Sequence, residues 1–172
     1  DYTVSNGVES HDVSANVTLL GGNDLQGTGA DEVLLAGGGD DILVGGAGDD
    51  ILIGGGGGDG LSGGSGSDTF VWQSTDGGAA GSPVADVVSD FGRSEGDVLN
   101  LADLLVDESA GNLSDYLHFE QSDPDTVVLH VSSNGGFSGG YQASVEDQTI
   151  ILENFSLDGL GTTDTEIIDA LI

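Results

Sequence analysis

Between Gly37 and Val71 the chain reads GGGDDILV, GGAGDDILI, GGGGGDGLS and GGSGSDTFV, a nine-residue unit repeated four times. Asp recurs at position six (Asp41, Asp50, Asp59, Asp68) and a large apolar residue at position eight (Leu43, Leu52, Leu61, Phe70). So strict a period implies a solenoid, because one short unit buries its apolar residue only by stacking on its neighbours. A flexible Gly-rich linker needs no apolar residue at every ninth place. The Gly-rich first part of each unit tolerates positive φ, and its last residues, such as Ile51-Leu52-Ile53, suit a very short strand. With two units to a circuit, Asp41 lies over Asp59 and Asp50 over Asp68. Carboxylates stacked at the strand spacing of about 5 Å repel one another unless a cation lies between them. Carboxylate and glycine carbonyl oxygens form an all-oxygen set, which suits a hard divalent ion and above all Ca²⁺.

The pattern GGxGxDxUx resembles the RTX nonapeptide, the calcium-binding parallel β-roll of bacterial proteins exported by type I secretion. The resemblance implies several bound Ca²⁺ ions, at least two, each held by carbonyls and Asp of two stacked units. One site would use Gly37, Gly39, Asp41, Gly54, Gly56 and Asp59. The second would use Gly46, Gly48, Asp50, Gly63, Ser65 and Asp68. Running the register backwards gives two degraded units, with Glu32 and Asn23 at the Asp place and Ala30 at a Gly place. Glu32 and Asn23 are further candidate ligands, although terminal solenoid repeats are usually atypical because they cap.

Composition narrows the partners. The formal net charge is −30, with Arg93 the single Arg or Lys, so electrostatic binding to nucleic acid or to an anionic membrane is excluded. Of the 31 acidic residues 23 are Asp, many of them in the repeats. Cys is absent, which removes disulfides and thiolate chemistry and leaves bound metal as the available staple. No stretch has the ~20 apolar residues of a membrane span, and no signal peptide is visible. The lack of any Met marks the chain as a piece of a longer or processed polypeptide. The sequons at Asn16, Asn112 and Asn154 are read as chance.

Around the repeats, residues 1–20 alternate (Val13, Val17, Leu19) and suggest an entry strand or cap. The β-roll is assigned to residues 21–71 and a β-rich module with short helices to 72–172, giving an all-β, calcium-stabilised β-solenoid with a C-terminal capping module. One sheet of the roll would turn Val33, Leu35, Ile51, Ile53, Thr69 and Val71 outward, the other Asp24, Gln26, Ile42, Val44, Gly60 and Ser62. A wholly apolar outer face is sticky, so residues 72–172 are expected to cover the first sheet and bury Ile51 and Ile53. The segment Ala85–Leu105 reads as strand, two turns, a strand from Val98 and a short helix. It resembles the DFxxGxDxLxL stretch that follows RTX repeats; its Asp90 and Asp97 are either further ion ligands or turn formers. Residues 116–121 and 126–132 read as a hairpin, Thr149–Leu152 as a third strand, and Thr163-x-x-Glu166 as a capping box opening a final helix. The order of these pieces resembles the C-terminal secretion-target region of large type I-secreted adhesins, and implies a parent that continues past Ile172.

No catalytic constellation stands out. Gly136-Phe137-Ser138-Gly139-Gly140 matches G-x-S-x-G but lacks the helix a nucleophile elbow requires. His118 and His130 share an outer face, yet two imidazoles without a third ligand make no zinc site. The expectation is a non-enzymatic, monomeric domain at the surface of a Gram-negative bacterium or secreted from it. It stays unfolded in low calcium and folds outside, its partners being calcium, the secretion machinery and upstream adhesin domains. The alternatives are the β-roll region of a secreted RTX protease or lipase, or a calcium-dependent ligand-binding module.

Overall fold

A computed structural model describes residues 16–19, 24–105 and 112–171. The strands are β1 (Asn16–Leu19), β2 (Leu25–Gln26), β3 (Glu32–Leu35), β4 (Ile42–Ala47), β5 (Ile51–Ile53), β6 (Gly60–Ser65) and β7 (Thr69–Val71). They continue with β8 (Val84–Val88), β9 (Val98–Asn100), β10 (Leu117–Asp123), β11 (Thr126–Val131) and β12 (Gln148–Glu153). One helix, α1 (Asp164–Leu171), follows. Alternate strands fall into two sheets, one ordered β1-β3-β5-β7-β9 and the other β10-β11-β12-β8-β6-β4-β2. The chain therefore is mostly β, built on a parallel roll, and no described helix is long and apolar enough to cross a membrane.

Registry follows from the repeat. Between the sheets the position-eight residues form two apolar ladders, Leu34–Leu52–Phe70–Leu99 on one side and Leu25–Leu43–Leu61–Val88 on the other. Leu43, Leu52, Phe70 and Val88 are wholly buried. A one-residue slip would turn each ladder to solvent, which fixes the register of strands only two to six residues long. Val88 and Leu99 lie outside the nonapeptides, yet each follows an Asp by two residues, as in the repeats: Asp86-Val87-Val88 and Asp97-Val98-Leu99.

The later strands lengthen one sheet of the roll. β8 pairs in parallel with β6, β12 in parallel with β8, and β11 and β10 follow antiparallel. Leu117, Phe119, Val127, Leu129, Val131, Ile150 and Leu152 bury one face of this extension, where α1 adds Ile167 and Ile168. The Thr163 hydroxyl accepts the Glu166 N–H at 3.3 Å, and the Glu166 carboxylate accepts the Thr163 N–H at 3.2 Å, so the capping box forms. After β9 residues 101–105 make only turns, held by the Leu104 and Leu105 N–H groups on the Leu101 carbonyl, in place of the expected short helix.

The expected covering of the outer apolar face is not formed. Ile51 is 38% exposed and Ile53 half-buried, while Val98, further along the same face, is 44% exposed. β9 adds to the edge of the first sheet, while β8, β12, β11 and β10 extend the opposite sheet edge to edge, because β8 finds unpaired backbone groups on β6 and satisfies them there. The outward residues of the first sheet shield one another in cross-strand ranks such as Val33–Ile51–Thr69–Val98. On the second sheet Gln26 is exposed as expected, Ser62 is half-buried and Ile42 is 54% exposed.

This packing separates two neighbouring residues sharply. Leu52→Ala should cost about 2–5 kcal/mol in calcium-saturated denaturant unfolding. Ile51→Asp should cost less than about 1 kcal/mol, as expected of a surface change. Comparable losses at the two positions would contradict the exposed first sheet.

Candidate metal centre

Each repeat turn places its Asp at the buried start of a strand, and the two sides of the roll carry separate acidic ranks. On one side Asp41 and Asp59 stack, with Asp86 above them; on the other Glu32, Asp50 and Asp68 stack, with Asp97 above. One contact recurs throughout. The Oδ1 of each upper Asp accepts the backbone N–H of the acid below: Asp59 from Asp41 and Asp68 from Asp50 at 2.9 Å, Asp50 from Glu32 at 2.8 Å. Asp97 accepts from Asp68 at 2.9 Å in the same way. The second oxygens of Asp41, Asp50, Asp59 and Asp68 are buried and have no donor in the protein.

Glycine is required around these oxygens because the backbone comes too close for a side chain. A Cβ on Gly54 would sit 2.2 Å from Asp59 Oδ2, and one on Gly63 2.2 Å from Asp68 Oδ2. Gly55 and Gly64, at positive φ, leave room for the Gly37 and Gly46 carbonyls, whose oxygens would lie 2.0 Å from an added Cβ. The carbonyls of Gly39 and Gly48 rise in the same manner toward Gly57 and Gly66. From above, the Gly63 carbonyl oxygen points down toward Gly45, and the Gly56 and Ser65 carbonyls accept the N–H groups of Gly39 (2.6 Å) and Gly48 (3.0 Å). Among the described residues no three His, Cys, Asp or Glu side chains converge as a metal cluster. The convergent oxygens are chiefly carbonyls with a carboxylate, the donor set of a hard cation.

The structure stacks Asp59 over Asp41 and Asp68 over Asp50, as the repeat spacing pairs them. Asn23 lies outside the described residues. The Glu32 carboxylate is occupied by Thr28, through its backbone N–H at 2.7 Å and its hydroxyl. The Thr28 carbonyl oxygen would lie 2.3 Å from a Cβ on Gly46, so this degraded unit offers a backbone oxygen where the intact ones do. Sequence reasoning passes over Thr28 because a carbonyl ligand leaves no side-chain signature. Asp90 and Asp97 part company: Asp97 joins the rank and takes the Gly92 N–H at 2.8 Å on its other oxygen. Asp90 instead accepts the N–H groups of Gly63 (3.0 Å) and Gly64 (2.9 Å) and the Ser62 hydroxyl (2.7 Å). Sequence reasoning passes over Asp86, which stands above Asp59 in the rank.

A second, exposed rank at position five also escapes the nonapeptide reading. Asp31, Asp40 and Asp49 accept the N–H groups of Asp49, Gly58 and Ser67 at 2.8–2.9 Å, tying each outer turn to the next. Elsewhere His118 and His130 pair across β10 and β11, and Tyr141 packs against both rings. Their Nδ1 atoms meet Asp164 (3.0 Å) and Glu146 (2.8 Å). Ser138 is exposed in a run of turns that no helix follows before β12.

Stacked turns with buried, donorless carboxylate oxygens define a metal-binding β-solenoid. Residues 26–61 and 35–70 match the model of the RTX calcium-binding nonapeptide repeat, in four copies. Such repeats bind several Ca²⁺ ions. None of the curated proteins matches the chain significantly. Among solved structures the chain is similar to the AlgE6R3 subunit of an Azotobacter vinelandii mannuronan C5-epimerase. The identity is 29% and the TM-score 0.58, over 87% of this chain and 77% of that one. It shares the fold of the AlgE6R2 subunit of the same epimerase, at 24% identity and TM-score 0.53, over 82% of this chain and 90% of that one.

Burial, opposed by a backbone N–H and reinforced by neighbouring carboxylates, raises Asp59 to about 7 and Asp68 to about 6. Asp50 is raised for the same first reason. A raised folded-state pKa contributes stability that is complete below the unfolded value and lost as pH rises through the folded one. In chelator the fold should therefore weaken as pH rises from about 4 to about 7, whereas bound calcium should remove much of that dependence. Circular dichroism across this range, with and without calcium, checks both. Chelator-treated protein that gains structure as pH rises would contradict it.

Proposed function

We propose that this chain is the calcium-dependent C-terminal folding unit of a large type I-secreted bacterial adhesin, acting in export and folding without catalysis. The observation that carries the calcium part is the set of four buried carboxylate oxygens without a protein donor. A cation between stacked units satisfies them. Its ligands are drawn from Gly37, Gly39, Asp41, Gly54, Gly56 and Asp59 in one gap, and from Gly46, Gly48, Asp50, Gly63, Ser65 and Asp68 in the other. In low calcium the ranks repel and the chain stays open, the state a narrow export channel accepts. In millimolar calcium binding and folding are coupled, and a site with Kd ~1 mM at ~10 mM calcium contributes roughly 1.4 kcal/mol. Folding outside the cell then prevents return through the channel. The adhesin assignment is supported by the resemblance of the segments after residue 72 to secretion-target regions, and the cell surface or medium is the corresponding location.

A second reading, the calcium-binding region of a secreted RTX enzyme, is favoured by the similarity to AlgE6R3, a subunit of an epimerase. Here too the roll itself is the non-catalytic part. A fusion of this chain to a reporter, expressed with a type I exporter, should reach the medium; retention in the cell would count against the export role under either reading. Sequencing of the parent gene upstream separates adhesin from enzyme.

Two solution measurements test the calcium part. The chain should be largely unstructured in chelator and gain β structure with millimolar Ca²⁺, Mg²⁺ being a poor substitute because of its tight octahedral shell. Asp50→Ala should shift the calcium midpoint upward, whereas Asp123→Ala, in the exposed hairpin turn, should leave it in place. Equal shifts would refute the stacked sites.

A further inference from the structure

Asp86 continues the rank of Asp41 and Asp59, but its second oxygen has different company. Its Oδ1 accepts the Asp59 N–H at 2.8 Å, the same contact that Asp59 makes with Asp41 at 2.9 Å. In Asp41 and Asp59 the other oxygen is buried without a protein donor. In Asp86 that oxygen receives two N–H groups, Trp72 Nε1 and Gln148 Nε2, each at 2.7 Å. All three side chains are buried, Gln148 completely. The amide orientation of Gln148 is fixed by this contact, since exchanging its ends would set Oε1 against a carboxylate oxygen. Nε2 also meets the Thr149 carbonyl at 3.2 Å, and Oε1 is left buried without a donor.

Two charge-assisted hydrogen bonds satisfy a carboxylate oxygen without a metal. We propose that Trp72 and Gln148 take the place of a cation at Asp86, so that in this rank the calcium array ends at Asp59. Asp86 is then a positioning residue. It presents one oxygen to the last calcium-binding layer and the other to the protein donors that join β12 to the roll. Gln148 opens β12, and Asp86 lies opposite Ile150 in the β8–β12 pair, so the closure sits where the calcium-dependent turns meet the hairpin strands. Trp72, the single Trp of the chain, follows directly on the last repeat.

The inference rests on the reading that the repeat aspartates bind calcium, and metal counting separates the two. Calcium bound per folded chain would be measured by elemental analysis after equilibrium dialysis, for wild type, Asp59→Asn, Asp86→Asn and Gln148→Glu. Asn at 86 keeps an oxygen for the Asp59 N–H, and Gln148 can turn its amide so that Oε1 accepts from the new Nδ2, leaving only Trp72 Nε1 without its partner. Counted per folded chain, Asp86→Asn should hold as many ions as wild type, while Asp59→Asn loses at least one. An ion lost from Asp86→Asn as well would overturn the proposal. Gln148→Glu sets a second carboxylate against Asp86 and should bind one ion more than wild type, with a calcium midpoint for folding raised severalfold. An unchanged count, or a chain that stays unfolded at saturating calcium, would overturn it too. Wild type without bound calcium would overturn the underlying reading first, and this inference with it.

Discussion

Four carboxylates buried along two ranks, each with one oxygen that no protein group addresses, are the constraint on which the rest of the structure depends. Burial without a counter-charge is costly for an ionised group, and like charges stacked at strand spacing add to that cost. The fold relieves part of it from its own backbone, because Oδ1 of Asp50, Asp59 and Asp68 accepts the N–H of the acid one layer below. The rest needs a cation or a proton. A chain with formal charge −30 and a single Arg holds almost no cationic side chain for the purpose. Solution conditions, calcium above all, therefore govern whether the roll is the favoured state.

Glycine makes that dependence possible. Where Gly54 and Gly63 stand, any Cβ would collide with the Asp carboxylate of the same turn, and where Gly55 and Gly64 stand it would collide with a carbonyl of the turn below. The close approach brings carbonyl oxygens of one turn against the glycines of the next, and the buried Asp oxygens against glycines of their own turn. It also keeps the turns thin enough for the rungs of each apolar ladder to stack at strand spacing. Metal and core are thus two consequences of one stacking distance.

The downstream strands join this arrangement by extending it. Asp86 and Asp97 reproduce the acid position, and Val88 and Leu99 the apolar position, on strands separated from the repeats by longer connections. At the far end of one rank Trp72 and Gln148 supply the neutral donors that the repeats lack. β12, β11 and β10 then continue the same sheet, so the order of the roll passes to the hairpin through backbone pairing. The similarity to epimerase RTX subunits concerns this shared scaffold.

The nonapeptide period by itself determined a great deal. Spacing alone assigns Asp41, Asp50, Asp59 and Asp68 to two stacked ranks, Leu43, Leu52, Leu61 and Phe70 to the core, and alternate units to opposite sheets. It does so because each rule acts between neighbours one turn apart. The expected burial of Ile51 and Ile53 failed, since apolarity of an outer face does not say which edge or face a distant strand will choose. Only the tertiary structure decided that β8 pairs with the edge of β6, where unpaired backbone groups outweigh an apolar surface already half-shielded by its own ranks. It also decided that Asp86, unremarkable in sequence, stands over Asp59, and that Gln148, sixty-two positions further on, meets it. Contacts of that range depend on where the chain returns, and no local period encodes the return.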